Sequence, residues 1–72
     1  MRNSIEAYQE SGRKAGRARR AGDEGMAEFE FNWMRRAVNL ENTPEDRQTA
    51  KQAFESGYSG SATPRRPSVK DV

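Results

Sequence analysis

The stretch "RRAGDEGM", residues 19–26, decides the fold, because a signal that ends one helix is followed at once by a signal that begins another. Gly22 suits the left-handed residue that closes a helix. Asp23 suits the N-cap of the next helix, and Glu24 in the first turn is favoured by the helix dipole. A connection this short predicts two antiparallel, neighbouring helices.

The segment before this turn predicts a first helix over residues 4–21. Asn3 can cap it, and Glu6, three residues on, can complete a capping box. At roughly 100° per residue, small residues fall on one side and charged residues on the other, so we expect a partner helix to approach the small side closely. The small side holds Ile5, Tyr8, Gly12, Ala15 and Gly22, and the charged side holds Glu6, Glu10, Arg13, Arg17 and Arg20. We also expect an ion pair between Glu10 and Lys14.

The segment after the turn predicts a second helix over residues 24–40. Its apolar residues form two adjacent stripes, which together cover more than the roughly 100° that one neighbouring helix can bury. The first stripe is Met26, Phe29, Trp33, Ala37 and Leu40, and the second is Ala27, Phe31, Met34 and Val38. We therefore expect this helix to lie between the other two, or between one helix and an external partner.

A third helix is predicted from Pro44 to about Ser56. Thr43 can cap it, Pro44 suits its first position, and Asp46 resembles the last member of a capping box. Gly57 is expected to end the helix, with Tyr58 folded back over it. The remaining residues 59–72 have no periodicity and few apolar side chains, which predicts a disordered basic tail rich in proline and serine.

These elements predict an all-α protein: an antiparallel helical hairpin plus a third helix over residues 1–58, followed by the tail. Seventy-two residues bury too little surface for more than marginal stability, so support from a partner or a second copy is plausible.

Composition excludes several classes of function. The chain contains no Cys and no His, so disulfides, thiolate chemistry and the usual zinc sites are absent. It has no glycine-rich phosphate loop and no serine with a base at helical spacing. We therefore expect no enzyme activity, no cofactor and no metal site. No apolar run is long enough for a membrane span, and the lack of Cys favours a cytoplasmic location.

Basic residues suggest a binding surface. Residues 1–22 carry six basic and two acidic side chains, whereas residues 23–42 carry two basic and five acidic ones. Such asymmetry indicates an anionic partner or pairing between segments. The predicted contact residues are Arg13, Lys14, Arg17, Arg20, Trp33, Arg35 and Arg36, with Arg65 and Arg66 as tail contacts.

Three hypotheses follow for these residues. Trp33, Arg35 and Arg36 are of the types most frequent in protein-binding hot spots, which favours a protein partner. The cations of the first helix could instead bind nucleic acid through phosphates, with a steep dependence on salt. Alternatively, the charged face is solvated and the chain is a structural homodimer or larger homo-oligomer.

The chain also resembles the small early proteins of lytic tailed phages that bind host RNA polymerase. The likeness lies in its size, its lack of Cys, its arginine-rich hairpin and a tail containing proline and arginine ("PRRPS", residues 64–68). The resemblance implies a non-enzymatic regulator in the host cytoplasm that binds RNA polymerase and inhibits or redirects transcription.

Overall fold

The computed structural model describes residues 1–62, which form three helices: α1 (Ile5–Ala21), α2 (Glu24–Asn39) and α3 (Pro44–Ala62). The predicted all-α, three-helix architecture is confirmed. Of the predicted tail, residues 59–62 belong to α3 instead, and residues 63–72 lie outside the described residues.

The turn between α1 and α2 forms as the sequence predicts. Gly22 adopts a left-handed conformation with φ of 78°, and its N–H bonds the carbonyl of Arg19 at 3.1 Å. The carboxylate of Asp23 accepts from the N–H of Met26 at 3.1 Å and caps α2. Both signals act between residues no more than five apart, so local chemistry suffices to place this turn.

The cap of α1 differs from the prediction. Ser4, not Asn3, is the N-cap, and its hydroxyl accepts from the N–H of Ala7 at 3.1 Å. Asn3 lies outside the helix because its own N–H donates to the carboxylate of Glu41 at 3.3 Å. A contact with the distant α2–α3 connection therefore sets where α1 begins.

The predicted end of α3 is wrong as well. Thr43 caps the helix as expected, with its hydroxyl accepting from the N–H of Asp46 at 3.0 Å. The helix then runs through Gly57 to Ala62. Gly57 serves close packing there: a Cβ at this position would overlap the carbonyl oxygen of Gln9 on α1. Tyr58 does not fold back over a helix end, and its ring packs 5.6 Å from that of Phe31.

The central helix is α1, so the expectation that the second helix lies in the middle is wrong. α1 packs against both other helices, and its contact with α3 is the most extensive, while α2 and α3 touch least. Gly12 on α1 explains this order, because a Cβ there would overlap the carbonyl oxygen of Phe54. The two backbones approach so closely that α3 covers α1 rather than the broad apolar surface of α2.

The hydrophobic core lies where the three helices meet. Tyr8 and Phe54 are its largest fully buried side chains. Phe31 joins α2 to α3, with its ring 5.4 Å from that of Phe54, and Trp33 lies 5.4 Å from Tyr8. Small residues fill the remainder, namely Ala15, Ala37, Val38, Ala50 and Ala53.

Candidate functional site: the groove between α1 and α2

An open groove runs between α1 and α2. It consists of two adjoining cavities of about 510 and 420 Å³, which share Lys14, Phe29 and Glu30 as lining residues. The other lining residues are Ala7, Glu10, Ser11, Arg17, Ala18, Ala21, Asp23, Met26 and Trp33. We refer to this feature as the α1–α2 groove.

Large apolar side chains of α2 remain exposed beside this groove. Phe29 is 59% exposed and Met26 is 45% exposed, and Leu40 at the end of α2 is 58% exposed. Trp33 is half-buried. All four belong to the first apolar stripe of the sequence, and the two stripes were expected to be covered by two neighbouring helices or by one helix and an external partner. α3 packs mainly against α1 and reaches α2 at Phe31 of the second stripe, so it leaves the first stripe uncovered.

A buried polar pair forms the base of the groove. Glu30 is 7% exposed, and its carboxylate accepts a hydrogen bond from the hydroxyl of Ser11 at 2.7 Å. A buried polar group must be paired to avoid a large desolvation cost. The pair thereby fixes the register of α1 against α2. Sequence reasoning missed it, since Glu30 reads as an ordinary charged residue between two phenylalanines.

The charged side of α1 is partly neutralised by its own carboxylate. Glu10 lies 3.5 Å from Arg13 and 3.6 Å from Arg17. The expected pair of Glu10 with Lys14 is wrong, since both oxygens of Glu10 face these arginines. Lys14 instead projects into the groove. Arg20 is exposed on the same helix.

A further arginine of α1 reaches the second helix of the hairpin. Arg19 lies 3.7 Å from the carboxylate of Glu24. Its guanidinium also sits over the ring of Phe31, 5.6 Å from the centroid. This cation–π contact is typical of arginine next to an aromatic face. Arg19 therefore stabilises the hairpin turn.

The other predicted contact residues are dispersed. Arg35 is exposed and donates to the side-chain oxygen of Asn32. Arg36 is exposed one position further along α2. Arg65 and Arg66 lie outside the described residues. The structure thus brings Lys14, Arg17 and Trp33 together at the groove.

A second buried carboxylate lies at the other end of the hairpin. Glu41 is 2% exposed and accepts from the hydroxyl of Tyr8 at 2.6 Å and from the N–H of Arg2 at 2.8 Å. The bond from Tyr8, followed by that from Arg2, lowers the pKa of Glu41 below its ordinary value of 4.5. Burial, followed by the bond to Glu41, raises the pKa of Tyr8. This cluster holds the segment before α1 in place.

Neither a metal site, nor a membrane-spanning helix, nor a relative of known function is found for the described part of the chain. Among residues 1–62, no group of three or more acidic side chains is arranged to hold a metal ion. No helix within those residues is long and apolar enough to cross a membrane. No protein-family model, curated protein or solved structure matches the chain.

Proposed function

We propose that the chain is a non-enzymatic regulatory protein that docks on a larger protein complex through the α1–α2 groove. The likeness to phage early proteins makes bacterial RNA polymerase the first partner to test. In this role the protein would inhibit or redirect transcription by covering or repositioning part of the polymerase.

The observation that carries this proposal is the exposure of Phe29 beside a groove. Exposed apolar groups that cluster next to a concavity mark binding sites more often than isolated apolar residues do. Trp33 contributes a half-buried aromatic edge to the same groove. Aromatic and arginine side chains dominate binding energy at protein interfaces, and Arg17 lies on the groove's rim.

The charges favour a protein partner over nucleic acid. A phosphate backbone would have to displace Glu10 from Arg13 and Arg17, because that carboxylate lies between the two guanidinium groups. It would also meet repulsion from Glu10 itself. A protein surface can place its carboxylates around Lys14 and leave those pairs intact.

The experiment is a pull-down from bacterial lysate with the tagged full-length chain and matched variants. We expect wild type to retain RNA polymerase subunits, Phe29→Glu to lose them, and Lys51→Glu on the exposed side of α3 to behave as wild type. Retention of no polymerase subunit by the wild-type chain contradicts the assignment to polymerase.

A gel shift with duplex DNA tests the nucleic-acid alternative. If that alternative holds, affinity falls steeply with salt, with a log–log slope of roughly −0.9 per phosphate contact, and Arg13→Glu with Arg17→Glu abolishes binding. We expect no such complex at physiological salt.

A further inference from the structure

Four positions of α2 and its C-cap residue form a seam beside the groove: Met26, Phe29, Trp33, Arg36 and Leu40. They are separated alternately by three and four residues. This is the spacing by which one helix presents a continuous edge to a second helix. Within residues 1–62 most of the seam is uncovered, since three of its four apolar side chains are exposed and only Trp33 packs against the core.

The unpaired charge along the seam and groove is positive. Lys14 lines both cavities and Arg36 lies on the seam, and neither forms an ion pair or side-chain hydrogen bond within the described part of the chain. The carboxylates that line the groove are already engaged. Glu30 accepts from a serine hydroxyl, Asp23 caps α2, and Glu10 lies between two arginines. The groove is therefore complementary to an anionic, apolar ligand.

We propose that the α1–α2 groove binds an amphipathic α-helix of another protein that carries apolar residues at heptad spacing and carboxylates along its flank. The apolar residues pack on Phe29 and Met26, in the manner of helix-in-groove recognition. The carboxylates meet Lys14 and Arg36 through charge-assisted hydrogen bonds. This inference rests on the proposed docking function in that it uses the same surface, but it does not depend on which complex supplies the helix.

A second copy of the chain fits the seam less well. In a parallel, in-register pair, Arg36 faces Arg36 of the other copy, and like charges at a seam position repel. In an antiparallel pair centred on Trp33, Arg36 faces Glu30, whose carboxylate is already buried against Ser11. Neither arrangement places a free carboxylate directly opposite Arg36.

Two designed peptides test this inference by fluorescence anisotropy with the full-length chain. Each is a helix of about 18 residues, long enough to span about 27 Å of the groove. Each has leucines separated alternately by three and four residues, so that they form one apolar edge. One has glutamate at the flanking positions and the other has lysine. We expect the glutamate peptide to bind about tenfold more tightly, as two exposed charge pairs allow.

Variants then locate the site. We expect Lys14→Glu combined with Arg36→Glu to remove or reverse the preference, and Phe29→Glu to weaken both peptides. Lys51→Glu makes the same charge change on α3 and is expected to leave the preference unchanged. Circular dichroism of each variant establishes that it is folded before its binding is compared.

Equal binding of the two peptides, or tighter binding of the lysine peptide, overturns the inference. So does a dimer in sedimentation at tens of micromolar that Phe29→Glu dissociates, because the occupant is then a second copy. Peptide preference without retention of polymerase contradicts only the proposed function. Retention of polymerase that is unaffected by the Lys14→Glu and Arg36→Glu pair contradicts only the present inference.

Discussion

Gly12 of α1 and Gly57 of α3 lie where these helices cross, and each faces the backbone of the other helix. A Cβ on Gly12 would lie 2.9 Å from the amide nitrogen of Tyr58, and one on Gly57 would lie 3.1 Å from that of Arg13. Backbone cannot move aside as the end of a flexible side chain can. The two glycines therefore set the distance between α1 and α3, and so determine which surface of α2 stays uncovered.

We expect Gly57→Ala to destabilise the protein by about 1–3 kcal/mol or more, because overpacking forces the helices apart. Gly60→Ala is the matched control. A Cβ there meets nothing within 4 Å, so the higher helix propensity of alanine should stabilise α3 by up to about 1 kcal/mol. Urea unfolding followed by circular dichroism measures both. A stabilising Gly57→Ala would contradict the close crossing.

The sequence predicts the turns of this fold better than its packing. Gly22 and Asp23 are read correctly because a helix cap depends on neighbours within a few residues. The prediction that Gly57 ends a helix is wrong because glycine can either end a helix or permit close packing between helices. Only the position of Gln9 on a distant helix distinguishes these roles, and one sequence does not reveal that position.

Glu41 makes stability depend on acid pH. Its pKa is lower in the folded chain than the ordinary 4.5, so its contribution is complete above that pH and is lost as the pH falls through the folded-state pKa. We expect Glu41→Gln to reduce stability at neutral pH and to flatten the decline in acid. Urea midpoints measured from about pH 3 to 7 test this.

Glu55→Gln is the control for this measurement. Glu55 is exposed on α3 and forms no ion pair or hydrogen bond through its side chain within residues 1–62. Its replacement should leave the acid decline as steep as in wild type. If the stability of Glu41→Gln fell with acid pH as steeply as that of wild type, Glu41 would not be the cause of the acid decline.

Removing only one partner of the hydrogen-bonded pair Ser11 and Glu30 should reduce the stability of the protein more than removing both. Ser11→Ala leaves a buried carboxylate without its donor, which costs about 1–3 kcal/mol. Ser11→Ala combined with Glu30→Met removes both polar groups and should recover most of that loss. Thermal unfolding of the two single variants and the double variant measures the coupling. Strict additivity would mean that the hydrogen bond contributes nothing to stability.

The candidate site is predictable only in part. Residue type indicates the chemistry of binding, but it does not indicate which apolar stripe of α2 is buried by another helix. The sequence singles out Lys14 and Trp33, and both line the groove. Periodicity assigns Phe29 and Phe31 to adjacent apolar stripes, but it leaves open whether a helix of the chain or an external partner covers each stripe. In the structure, α3 reaches the stripe of Phe31 and leaves that of Phe29 exposed.

Replacing Phe54 should therefore mainly reduce the stability of the protein, whereas replacing Phe29 should mainly weaken its binding. Phe54 is 2% exposed, so Phe54→Ala should cost about 3–5 kcal/mol through lost burial and a residual cavity. Phe29→Ala removes a side chain that is largely in water already, and should change stability by less than about 1 kcal/mol. In the pull-down and peptide assays, Phe29→Ala should nevertheless weaken binding. A large loss of stability in Phe29→Ala would place Phe29 in the core and leave the groove without its anchor.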